Sequence, residues 1–109
     1  MKKTKIEIDI DLDDQNVPEK INWHATDDPA QKNNETRSMS VSFWDHKDKN
    51  TLRIDLWTKE MEVPEMKKFT IDCIGGLAQS ILSATGDEYM SNEINALCDR
   101  LVEHVKKEE

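Results

Sequence analysis

The stretch of residues 38–57 limits the possible folds most, because its pattern is typical of a single β-hairpin. In each half of the stretch, apolar and polar side chains alternate, as they do in a half-buried strand. The apolar positions are Met39, Val41, Phe43, Leu52, Ile54 and Leu56. The pattern predicts strands at Ser38–Trp44 and Thr51–Trp57, and the intervening DHKDKN is a hairpin loop.

The register of this hairpin follows from matching its apolar residues. If Trp44 is opposite Thr51, every apolar residue of one strand faces an apolar residue of the other. The polar face then pairs Ser42 with Arg53, Ser40 with Asp55 and Ser38 with Trp57. A shift of one residue would mismatch all of these pairs, so we expect this register and no other. Both tryptophans are thereby predicted to lie on the polar face.

Two further strands are predicted before the hairpin. The alternation of isoleucine with acidic residues predicts a strand at about Thr4–Leu12. The residues DDQNVP favour a turn at Asp13–Pro18, and a short strand is predicted at about Glu19–His24. The segment Ala25–Arg37 contains almost no apolar residue, so we predict a polar loop there.

Two helices are predicted after the hairpin. The first begins near Pro64 and ends at Thr85 or Gly86, and the second covers about Glu88–Lys106. The fold class predicted is therefore α+β, a single domain over residues 1–109. Its architecture is a two-layer sandwich, with a four-stranded antiparallel meander followed by two antiparallel helices packed on one face.

The charge of the chain restricts its partners. Fifteen basic and 23 acidic residues give a net charge of −8, which repels nucleic acid and anionic membrane surfaces. The three lysines near the N-terminus are not followed by the apolar stretch of a signal peptide, and no segment has the ~20 apolar residues of a membrane span. We expect a cytoplasmic protein that does not insert into the membrane.

No catalytic, cofactor-binding or metal-binding residues are predicted. An EF-hand loop starting at Asp11 would need glycine and glutamate where Asn16 and Asn22 stand. The three histidines form no zinc motif. Cys73 and Cys98 lie on the apolar stripes of the predicted helices, which favours buried, reduced thiols.

Gly75 and Gly76 stand in the middle of the first predicted helix, where glycine costs ~1 kcal/mol relative to alanine. Gly75 falls in the polar arc of a helical wheel. A local kink is favoured over the close approach of another chain.

The tryptophans are the candidates for an interaction surface. Trp23 shares a strand face with Ile21 and is predicted to belong to the core. Trp44 and Trp57, at opposite ends of the polar face, flank Arg53 and Asp55, and these four residues form the predicted interaction surface. The alternative is that each indole folds over a strand end or is covered by the loop Ala25–Arg37.

The residues SFWDHKDKNTLRIDLWTKEMEVPEMKKF, with VPEKINW before and ATGDE after them, resemble the GldC family of gliding motility-associated proteins of the Bacteroidetes. The resemblance runs along essentially the full length. It implies a small soluble accessory protein of cell movement over surfaces. It implies no enzymatic activity, no cofactor and no catalytic residue.

Together these observations favour a non-enzymatic protein that acts through contacts with a protein of the motility machinery or cell envelope. Such a partner would place it at the periphery of the inner membrane. The alternative is a small-ligand binding module or enzyme with a pocket between sheet and helices, lined by Trp23, Phe43 and Phe69. A homodimer formed through a strand edge or the first helix also stays open.

Overall fold

The computed structural model of the protein describes residues 1–27 and 34–108. Within these residues, five strands precede two helices: β1 (Ile6–Leu12), β2 (Pro18–Ala25), β3 (Asn34–Thr36), β4 (Ser38–Trp44), β5 (Thr51–Trp57), α1 (Val63–Thr85) and α2 (Glu88–Lys107). The chain divides into two compact units, a strand unit of Met1–Met61 and a helical unit that begins at Glu62.

The strands form two antiparallel sheets, one in the order β1-β2-β3 and one of β4 with β5. The fold is α+β as predicted, but the prediction of one four-stranded meander is wrong. β3 lies inside the segment predicted to be a loop, and it pairs with β2 so that Thr36 is opposite Ile21. Backbone N–H and C=O groups can pair strands whatever the side chains are. A short polar strand can therefore form without the apolar alternation by which strands are predicted. Residues 28–33 of the predicted loop lie outside the described residues.

β1 and β2 form a hairpin whose apolar residues share one face. Ile10 is opposite Ile21, which is fully buried, and Ile8 is opposite Trp23. The turn between them is confirmed: the Asp13 carboxylate accepts hydrogen bonds from the backbone N–H groups of Gln15 and Val17, at 2.8 and 2.9 Å. Such side-chain bonds to the backbone are why aspartate favours turns.

The two helices begin and end where the sequence predicts. Pro64 stands in the first turn of α1, where its missing N–H costs nothing. Gly86 ends α1 in the left-handed conformation (φ 74°), and its N–H donates to the Leu82 carbonyl. The Asp87 side chain then accepts the Met90 N–H at 2.9 Å and so caps α2.

The antiparallel helices contact each other through small side chains. Ala78 and Ser91 are buried, and the Ser91 hydroxyl donates to the Ala78 carbonyl at 2.9 Å. A Cβ placed on Gly75 would lie 3.8 Å from the Cys98 sulfur, so Gly75 faces α2 instead of lying in the polar arc. α1 is one continuous helix through both mid-helix glycines. Cys73 and Cys98 are half-buried thiols.

The strand unit is closed by bonds between the segment after β5 and the strands before it. The Thr58 N–H donates to the Arg37 carbonyl at 2.7 Å, and the Lys59 N–H donates to the Pro18 carbonyl at 3.0 Å. Thr58 and Ser38 are buried at this point. The packing of the helices on the sheet, and the assignment of the chain to a single domain, stay predictions.

Candidate functional site

The candidate site is the polar face of the two-stranded sheet of β4 and β5, which we call the ribbon. All seven residue pairs of the ribbon have the register predicted from the sequence, from Ser38 opposite Trp57 to Trp44 opposite Thr51. Because side chains of paired residues point to the same side of a sheet, Ser40, Ser42, Arg53 and Asp55 share one face.

Arg53 binds its three neighbours on this face. Its Nη2 donates to the Ser40 hydroxyl at 2.8 Å, and its Nη1 donates to the Ser42 hydroxyl at 2.9 Å. The Asp55 carboxylate accepts from Nη2 at 3.0 Å and from Nε at 3.3 Å. The planar guanidinium suits this arrangement, because its donors point in fixed directions. The network therefore holds a positive and a negative group side by side at the surface.

Asp55 receives a further hydrogen bond from the Ser40 hydroxyl at 2.5 Å. This bond lowers the pKa of the Asp55 carboxyl from its ordinary value of 3.8, and the Arg53 guanidinium lowers that pKa further. Both effects favour the charged carboxylate, which accepts hydrogen bonds better than the neutral acid. The Asp55 carboxyl therefore stays ionised at neutral pH.

The two tryptophans of the predicted surface differ in exposure. The Trp44 side chain is 66% exposed at one end of the ribbon. Trp57, at the other end of the ribbon, is half-buried, and the residue is not free of contacts. The structure thus brings Arg53 and Asp55 into one network and leaves Trp44 as the large aromatic surface beside it.

Trp23 differs from its prediction. Its side chain is 39% exposed, so the indole is not part of the fully buried core. Its cross-strand partner Ile8 is exposed to the same extent. Apolar alternation predicts which face a side chain shares, but the depth of burial depends on what covers that face.

Among the described residues, no three His, Cys, Asp or Glu side chains stand close enough together to hold a metal ion. The described helices likewise include none that is long and apolar enough to cross a bilayer. The ribbon network offers hydrogen bonds, one ion pair and an aromatic surface, which are the means of recognition.

The predicted pairing places Ser40 and Ser42 on the face of Arg53, but the predicted interaction surface does not include these two serines. Their signal was the register itself, because Ser40 and Ser42 stand opposite Asp55 and Arg53. A serine on a solvated strand face carries no other indication of a role.

Comparisons with curated proteins and with solved structures find no match for this chain. The family model described as "Gliding motility-associated protein GldC-like" matches residues 18–107. The match includes β2 to β5 and both helices. The chain therefore belongs to the GldC-like family of gliding motility-associated proteins.

Proposed function

We propose that the protein is a non-enzymatic accessory component of the gliding machinery and that it binds a protein partner through the polar face of the ribbon. The observation that carries this proposal is the exposed Trp44 indole beside the ordered Arg53 network. Tryptophan and arginine are enriched among the residues that contribute most to binding at protein interfaces.

The order already present on this face supports a binding role. Arg53 is a flexible side chain, and immobilising such a chain on binding costs about 0.5–1.5 kcal/mol. Its hydrogen bonds to two serines and an aspartate hold it before any partner arrives. The proposed surface thus loses less side-chain entropy on binding than an unordered arginine would.

The proposed location is the cytoplasmic side of the envelope, reached through the partner. The net charge of −8 supports this, because it disfavours direct attachment to anionic lipid. A pocket lined by Trp23, Phe43 and Phe69 stays a prediction, which a thermal-shift screen tests. Self-association into a homodimer also stays a prediction, which light scattering tests.

The replacement Trp44→Ser tests the ribbon surface, and Phe43→Ser is its matched control. Phe43 is the neighbour of Trp44 on the same strand, is 58% exposed, and points to the opposite face. Affinity capture from cells under native conditions measures partner recovery, and spreading of colonies over a surface measures motility. We expect Trp44→Ser to lower recovery of an envelope or motility protein by roughly tenfold or more.

Melting curves of both variants separate lost binding from lost folding. Because Trp44 is mostly exposed, Trp44→Ser should melt within a few degrees of the original chain. Equal partner recovery by Trp44→Ser and the original chain, together with normal spreading, would exclude this face as the binding surface.

A further inference from the structure

We propose that a second site, a polar pocket in the strand unit, binds an organic cation: an ammonium or guanidinium group. None of its lining residues belongs to the proposed ribbon surface. The pocket has a volume of about 200 Å³ and is lined by Glu19, Glu35, Thr36, Arg37, Thr58 and Glu60. A single water needs about 10–15 Å³ on this measure, so the pocket is large enough for a side-chain-sized group.

Thr58 gives the first indication of a ligand. The residue is only 4% exposed, and its hydroxyl oxygen has no hydrogen-bond partner among the described residues. Its N–H already donates to Arg37, and its carbonyl already accepts from Met61. Leaving a buried hydroxyl without a partner is unfavourable. The hydroxyl is therefore the polar group of Thr58 that is left for a ligand.

The charges that line the pocket determine the class of ligand. Three carboxylates face one guanidinium, and that guanidinium, of Arg37, is already paired with Glu60 at 3.6 Å. Glu19 is paired with Lys59 at 2.8 Å. For Glu35, the described part of the chain provides no ion pair. An incoming cation would meet an unpaired carboxylate, whereas an anion would be repelled.

The spacing of these carboxylates argues for an organic cation over a metal ion. Nowhere in the described ranges do three potential ligands come close enough together to hold a metal. An ammonium or guanidinium group is larger and carries several N–H donors, so it can reach separate acceptors. Glu35 and Thr58, which both line the pocket, carry acceptor oxygens of this kind.

The pocket is formed by segments that are bonded to one another. Besides the Thr58–Arg37 bond, the Thr36 hydroxyl donates to the Ser38 carbonyl at 3.1 Å. The Lys59 side chain holds Glu19 and also donates to Asp13 at 3.2 Å. These bonds orient the lining groups before a ligand arrives, which lowers the entropic cost of binding.

Two sources could supply the cation, a basic side chain of a protein or a free polyamine. We test them with separate probes: acetyl-Gly-Arg-Gly-amide, acetyl-Gly-Lys-Gly-amide and spermidine, titrated into the full ¹⁵N-labelled chain. We expect the NMR signals of the backbone amides of Thr36, Arg37 and Thr58 to shift in a saturable way. Binding of a peptide but not of spermidine assigns a protein side chain, and the reverse assigns a free amine; either outcome supports the site.

Three variants test the residues. Glu35→Gln should weaken binding by roughly threefold, which is the range of an exposed ion pair. Thr58→Val should weaken it by roughly three- to tenfold. The control Glu93→Gln makes the same charge change on an exposed position of α2 and should leave binding unaltered.

The melting temperature of Thr58→Val shows whether weaker binding results from the lost hydroxyl or from lost stability. Because the Thr58 hydroxyl has no hydrogen-bond partner in the described part of the chain, Thr58→Val should melt no lower than the original chain. The proposal is overturned if none of the three probes gives saturable shifts, or if Glu93→Gln weakens binding as much as Glu35→Gln. Trp44→Ser should not affect this binding, so the ribbon proposal and this one fail independently.

Discussion

Arg53 is the residue that organises the polar face of the ribbon. Its donors engage two serines of β4 and the aspartate two positions along its own strand. A lysine at this position could not reproduce the contacts, because an ammonium group lacks the planar fork of a guanidinium. The identity of the side chain matters here as much as its charge.

The pKa of the Asp55 carboxyl should be measurable by NMR and should lie below its ordinary value of 3.8. We expect Ser40→Ala to raise this pKa most, because the Ser40 hydrogen bond is the largest cause of its lowering, and Arg53→Lys to raise it less. A pKa unaffected by both variants would mean that the network does not form in solution.

The direction of the pKa shift also predicts a pH dependence. Because the folded pKa lies below that of the unfolded chain, Asp55 contributes to stability above the unfolded value, near pH 4. That contribution is lost as the pH falls through the folded pKa. Stability of Asp55→Asn should therefore vary less with pH in the acid range than that of the original chain.

One carboxylate accepts two backbone hydrogen bonds in the loop between β4 and β5. Asp45 Oδ2 accepts the backbone N–H groups of Lys47 and Asp48, at 3.1 and 2.7 Å. We expect Asp45→Ala to lower the free energy of unfolding by about 1 kcal/mol, as the loss of other side-chain caps does. Urea denaturation measures this change.

The control for that loop is Asp48→Ala, which makes the same charge change. Asp48 is exposed, and the described residues give its side chain no hydrogen bond. Its replacement should alter the unfolding free energy by less than about 0.5 kcal/mol. Equal effects of the two variants would point to charge, and not to the hydrogen bonds of Asp45, as the cause.

The helices owe their boundaries to single residues at their ends. Gly86 adopts a φ of 74°, which residues with a Cβ rarely adopt, and Asp87 begins the next helix directly afterwards. The connection between α1 and α2 is short because the residue that ends α1, Gly86, is followed directly by the residue that caps α2, Asp87. Short connections favour antiparallel neighbours.

Glycine replacements within α1 and at its C-terminal end should have opposite effects on stability. Beyond its own chain neighbours and the local helix backbone, a Cβ on Gly86 or on Gly76 would meet no atom within 4 Å, so the two positions differ in backbone conformation and not in packing. Gly86→Ala should destabilise the protein by about 1 kcal/mol because of its left-handed backbone. Gly76→Ala should stabilise it by up to about 1 kcal/mol, because alanine favours a helix.

Thermal unfolding of both variants measures this pair of effects. A loss of stability on Gly76→Ala would indicate that something must approach that surface of α1 closely. A neutral Gly86→Ala would indicate that the helix end relaxes to another conformation at little cost.

At the scale of the whole molecule, the excess of acidic residues decides which partners can approach. A net charge of −8 attracts basic surfaces and repels polyanions, more strongly at low salt than at high salt. A partner that presents ammonium or guanidinium groups suits both this field and the pocket of the strand unit.

The protein should not co-sediment with phosphatidylserine vesicles at physiological ionic strength, because both are negatively charged. Zwitterionic phosphatidylcholine vesicles are the control. Binding to the anionic vesicles alone would contradict the proposal that a protein partner brings the chain to the membrane.

The sequence by itself determined the local structure of this protein. The register of the ribbon, the end of α1 at Gly86 and the start of α2 near Asp87 were all predictable. Each depends on residues close together in the chain, whose alternation, backbone preference or capping bond acts over a few positions. The polar network around Arg53 followed from that register.

Only the tertiary structure decided the order of the strands and the pocket beside Thr58. Both depend on the pairing of β3 with β2, and β3 carries no apolar pattern that would reveal this pairing. The approach of Gly75 to Cys98 of α2 likewise depends on how the two helices meet. Strand pairing and helix packing bring together residues that are distant in sequence. A polar residue or a glycine does not indicate which distant segment it will contact, because every backbone can form the same hydrogen bonds.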